Sequence, residues 1–278
     1  MLVNFAVIKM RSIRSRAIRL LSSAALLGTF AAAAAGCQTT QSSDTTGTIP
    51  LSAAEGSGAQ LRGDIAALGQ KYRADPGNVD TAVRYARALR ADGQRAQAVA
   101  VLETCSIKNP KNKTVLGEYG RALAETGNYQ QALEVLDRAH TPDQPDWRIL
   151  SAQGAVLDQM GRHADAQRYY LTALKIVPNE ASVLSNLGLS YALAKDLTKA
   201  EATLRRAAAQ KSTDPRVRQN LALVVGLQGR FAEAEDIARA DLPQDEAAAN
   251  VAYLKQMLAK RNGLQKATQS TRTGDRQG

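Results

Sequence analysis

Ala98, Ala132, Ala166, Ala200 and Ala234 stand 34 residues apart without a break. The same interval joins Ala86, Gly120, Gly154, Gly188 and Ala222. It also joins Gly93, Gly127, Gly161 and Gly229, a series that Lys195 interrupts, and Cys105, Ala139, Ala173 and Ala207, a series that ends at Asp241. A recurrence this regular restricts the chain to an array of like units, each meeting its neighbours in the same way. Small residues recur because two helices approach closely only where side chains are small. Leu116, Leu136, Leu150, Tyr170, Leu184 and Leu204 are placed to fill the space between crossings. Glycine supplies the backbone turn that ends the first helix of a unit. Pro76, Pro110 and Pro178 end the second, since proline cannot continue the hydrogen-bond ladder.

The period and residue types resemble the tetratricopeptide repeat, most clearly in DWRILSAQGAVLDQMGRHADAQRYYLTALKIVPNE from Asp146 to Glu180. The resemblance implies an all-α fold, a right-handed solenoid of antiparallel helix pairs over residues 60–262. Five units are expected, at 79–112, 113–146, 147–180, 181–214 and 215–248. A helix around Leu61–Arg73 reads as half of a leading unit, and Glu246–Arg261 as the closing cap. One unit cannot bury its apolar face alone, so stacking makes the core.

The front of the chain has a different character. Lys9, Arg11, Arg14, Arg16 and Arg19 precede an apolar run from Leu20 to Ala35, with no acidic residue before Cys37. That order describes a signal peptide over 1–36, starting at Met1 or Met10. Ala34-Ala35-Gly36-Cys37 resembles the lipobox of bacterial lipoproteins, which implies lipidation of Cys37 and a membrane anchor. Cleavage at Ala33-Ala34-Ala35 to a soluble periplasmic protein, and an uncleaved anchor, are the alternatives. Gln38 after the cysteine implies, by the same resemblance, the periplasmic face of the outer membrane. Residues 37–59 are Ser-, Thr- and Gly-rich and read as a flexible tether.

The net charge of +10 is concentrated at the ends. Five basic residues lie before Cys37 and five more lie from Lys260 onward against Asp275 alone. The body therefore carries 26 basic and 25 acidic residues and lacks the excess of a nucleic-acid binder. Residues 263–278 are expected to be a disordered basic tail.

No nucleotide loop, nucleophile elbow or metalloprotease signature occurs, and His140 and His163 read as surface or partly packed residues. Neither an enzyme, a cofactor nor a metal site is expected. Arrays of this kind bind proteins in the groove lined by their first helices. Groove candidates are Asp80, Val83, Arg87, Arg90, Arg121, Glu125, Arg148, Ser151, Asp158, Ser185, Leu189 and Leu193. Asn186 and Asn220 are placed either to bond a partner's backbone or to serve as caps or solvated groups. The lysine position of the chaperone-type carboxylate clamp holds Val83, Gly117, Ser151, Ser185 and Gln219, so that clamp is absent. An arginine-rich first half and a more apolar second half suggest a partner segment with acidic and hydrophobic parts.

From Asn186 to Leu258 the chain resembles the TadD family of tight-adherence (Flp) pilus lipoproteins, most specifically in DPRVRQNLALVVGLQGRF. The resemblance implies a pilotin-like assembly factor for the outer-membrane secretin or another pilus component. An adaptor for cell-wall hydrolases is the alternative.

Overall fold

The computed structural model describes the backbone of residues 51–210 and 214–274, and the side chains of 58–210 and 214–260. Twelve helices are found there: α1 Leu51–Ala74, α2 Val79–Ala91, α3 Arg95–Lys108, α4 Lys113–Glu125, α5 Tyr129–Asp137 and α6 Trp147–Gln159, then α7 His163–Ile176, α8 Ala181–Leu193, α9 Leu197–Ala208, α10 Pro215–Leu227, α11 Phe231–Ala238 and α12 Gln244–Gly274. The starts of α2, α4, α6, α8 and α10 lie 34 residues apart.

Local chemistry sets those starts. The residue before each is Asn78, Asn112, Asp146, Glu180 or Asp214, and its side chain accepts an N–H of the first turn. An extended cap residue with a short polar side chain satisfies a backbone donor that the helix leaves unpaired. The first helices stop at left-handed turns: Gly93, Gly127, Gly161 and Gly229 have φ between 75° and 87°. Lys195 takes the same conformation, φ 67°, in the unit that lacks the glycine.

Packing follows from the small residues. Ala98, Ala132, Ala166, Ala200 and Ala234 are all completely buried. A Cβ added at Gly120, Gly154 or Gly188 would come within 2.5–2.7 Å of Leu136, Tyr170 or Leu204, so helix backbone touches side chain directly in each pair. Every second helix packs against the first helices on both sides, and successive first helices also touch each other from α2 to α10. The first helices therefore form one continuous inner face. Helix α1 packs on α2 at one end, and α12 packs on α10 and α11 at the other, with Leu254 seated against Gly226.

Two expectations need correction. Helix α1 begins at Leu51, inside the segment read as tether through residue 59, and α12 runs to Gly274, through most of the segment read as disordered. Both stretches lack proline, and a helix nucleated on a packed surface extends at little further cost. Their glycines cost about 1 kcal/mol each, too little to stop it. The signal peptide, Cys37 and the tether before Leu51 lie outside the described residues, as do residues 275–278.

Candidate partner-binding groove

The inner face divides into three chemical zones along the array. The first lies on α2 and α4 and is ionic. Glu118 of α4, its side chain only 8% exposed, accepts from Arg87 at 2.7 Å, Arg90 at 3.0 Å and Arg121 at 3.4 Å. Glu125 accepts from Arg90 Nε at 2.9 Å and pairs with Arg95 at 3.9 Å. Burial alone would raise the Glu118 carboxyl, yet the Arg87 hydrogen bond and the charges of Arg121, Arg87 and Arg90 hold it below its ordinary value. Arg121 is lowered by burial, and repulsion from Arg90 and Arg87 adds to that against the attraction of Glu118 and Asp146. Its Nη2 also donates to the carbonyl of Arg148 at 3.3 Å, which ties α4 to α6. Four guanidiniums thus share two carboxylates on this stretch.

The second zone is a neutral ladder. Asn186 Nδ2 donates to Ser151 Oγ at 3.3 Å, and Asn220 Nδ2 to Ser185 Oγ at 3.0 Å, each across a unit boundary. Ser151, Ser185 and Asn220 are buried. These amides link successive first helices, so each has a donor already engaged within the array.

The third zone is apolar. Leu193 is 46% exposed on α8, beside the nearly buried Leu189. Leu223 and Leu227 stand at the equivalent places on α10, both partly exposed.

The remaining candidates fall outside these zones. Asp80 is exposed and pairs with Arg84 at 3.6 Å, Val83 is buried, and Arg148 is exposed with its guanidinium 4.3 Å above the Trp147 ring. Asp158 does not line the groove, a correction to the sequence expectation. Its side chain is fully buried, accepting from Ser190 Oγ at 2.8 Å and Tyr170 Oη at 3.1 Å, with His163 Nδ1 at 2.8 Å. Burial raises this carboxyl above its ordinary value, although all three partners pull it down. Ser190 of unit four and Tyr170 of its own unit hold this side chain inside the array. His140 Nε2 lies 3.2 Å from the Gln153 amide oxygen, while its Nδ1 is buried without a hydrogen-bond partner, so of the two histidines only His163 is tied to a carboxylate. Among the described residues no group of His, Cys, Asp or Glu could hold a metal ion, and no helix is long and apolar enough to cross a membrane.

Sequence reasoning missed Glu118, the centre of the ionic zone. The signal was present: Glu118 occupies the place in its unit that Asn186 and Asn220 hold in theirs, 68 and 102 residues on.

Comparison with known proteins agrees with this architecture. Tetratricopeptide-repeat family models match residues 89–154 and 151–215. No curated protein matches the sequence. Among solved structures, a tetratricopeptide repeat protein from Parabacteroides merdae superposes with a TM-score of 0.62 at 13% identity, covering 74% of this chain and 82% of that one. PilW, described as a widely conserved type IV pilus biogenesis factor, gives 0.58 at 18% identity over 72% and 94% of the two chains. PilF of Pseudomonas aeruginosa gives 0.51 at 21% identity over 66% and 84%. At these identities the likeness is one of fold. Repeat period, helix pairing and the two matched stretches converge on one architecture: the described body is an all-α tetratricopeptide-repeat solenoid.

Proposed function

We propose that this protein is a non-enzymatic assembly factor of a tight-adherence (Flp) pilus apparatus, acting like a pilotin on the outer-membrane secretin or an associated component. The single observation that carries the binding role is the division of the inner face. Partly unneutralised guanidiniums at units one and two lead to the exposed Leu193 of unit four and the partly exposed Leu223 and Leu227 of unit five. An extended or helical segment with an acidic part and an apolar part fits that sequence of surfaces. The pilus assignment draws on the TadD-like stretch from Asn186 to Leu258 and on the fold shared with PilF and PilW. Lipid on Cys37 would hold the solenoid at the periplasmic face of the outer membrane, since two or more acyl chains anchor stably where one does not.

The test is to delete the gene and follow the secretin by membrane fractionation. Loss of the secretin multimer from the outer membrane, restored by the wild type but not by Cys37→Ser, is expected. A normal multimer overturns the pilotin role, and co-purification with cell-wall hydrolases would move the protein to an adaptor function.

A further inference from the structure

A repeat protein carries its own internal comparison, and one position stands out by it. Leu171 on the outer side of α7 occupies the place that Glu103, Asp137, Arg205 and Arg239 hold in the other units. Four units put charge there; the third puts a leucine that is 46% exposed. Leu171, Leu174 and Pro178 give the apolar lining of an open depression of about 580 Å3 between the end of α7 and Arg206 of α9. Arg168, Lys175 and Arg206 form its rim. Arg168 is paired with Asp165. Among the described residues neither Lys175 nor Arg206 has a carboxylate partner. Arg206 Nη2 donates to the Pro178 carbonyl at 3.1 Å, which fixes the guanidinium at the rim without neutralising it.

We propose that this depression is a second docking site, on the second helices and separate from the groove, for a protein segment presenting an apolar side chain flanked by carboxylates. The occupant follows from complementarity: an apolar lining wants an apolar side chain, and a rim with uncompensated positive charge wants anions beside it. An anionic bilayer fits less well. The neighbouring second helix α5 exposes Glu134 and Asp137, carboxylates that a broad negative surface would meet and repel. A narrow segment touches the depression alone.

The experiment titrates the full 15N-labelled chain with the blocked peptide acetyl-EFLE-amide, with acetyl-KFLK-amide and phosphatidylglycerol vesicles as comparison arms. The expected result is amide shifts confined to residues 168–178 and the vicinity of Arg206, with the acidic peptide only. Leu171→Glu installs the charge that an equivalent unit already tolerates, so it should leave the fold intact and weaken binding about tenfold. Equal response to both peptides, shifts centred on the first helices, binding unaffected by Leu171→Glu, or binding to vesicles in place of the peptide would each overturn the proposal.

Discussion

Lys195 adopts at φ 67° the left-handed conformation that Gly93, Gly127, Gly161 and Gly229 adopt in the other units. A side chain there crowds Cβ against the following carbonyl, at a cost of about 1–2 kcal/mol, partly offset because glycine has more freedom to lose on folding. Lys195→Gly should therefore stabilise the protein by about 0.5–1 kcal/mol in urea unfolding. A fall in midpoint would show that the lysine side chain makes a compensating contact. Asp158 is the opposite kind of residue, costly where it stands and costlier to remove. Its raised carboxyl means that folding takes up protons, so its contribution improves as pH falls through the folded value toward the unfolded one. At neutral pH, Asp158→Ala leaves the Tyr170 and Ser190 hydroxyls without their acceptor and should cost about 2–4 kcal/mol. A loss under 1 kcal/mol would mean that water or repacking satisfies them.

Each helix pair is specified by a cap, a turn and a contact between small and large residues. These act over a few residues, which is why they repeat visibly in the chain. The glycine turns mark helix ends that sequence alone locates closely, and the caps from Asn78 to Asp214 fix the starts. The crossing contacts, Gly120 on Leu136 and Gly154 on Tyr170, leave no room for a larger side chain. Ala200 is completely buried against the same kind of surface. Ala200→Glu forces an unpaired carboxylate into that contact and should lower stability by at least about 3 kcal/mol, seen as an early, broadened melt. An unchanged melting curve would place the α8–α9 contact elsewhere.

Across the whole molecule the units are coupled only to neighbours, so each junction responds to its own chemistry. Glu201 of α9 bridges the fourth and fifth units, bonding Arg205 together with Gln228 and Arg230. Burial would raise its carboxyl, but the bonds from Arg205, Gln228 and Arg230 bring it down from 4.5 to about 2. A lowered carboxyl adds stability that is present above the unfolded value and is lost as pH falls from about 4.5 to about 2. The Asp158 junction, between units three and four, has the opposite sign. Hydrogen exchange at pH 3 should therefore show the α9–α11 region opening before α6–α8. Glu201→Gln should weaken the same region already at pH 7 and flatten its acid dependence. Equal protection of both junctions at pH 3 would contradict this division.

Sequence by itself determined the period, the helix pairs, the turns and the buried alanines, because those depend on residues a few places apart and recur in every unit. The candidate groove was legible only in part. Arg87, Arg90 and Arg121 could be assigned to one face, but Glu118, the carboxylate that gathers them, sits on α4 with Arg121 and meets Arg87 and Arg90 only when α4 seats beside α2. Asp158 shows the same limit from the other side: its helical position suits the groove, yet Ser190 of the following unit and Tyr170 of its own draw it inside. Depth, pairing and exposure are set by how one unit seats on the next. That seating is a tertiary property, since the free energy of a charge depends on which partners and how much water surround it after the units have stacked.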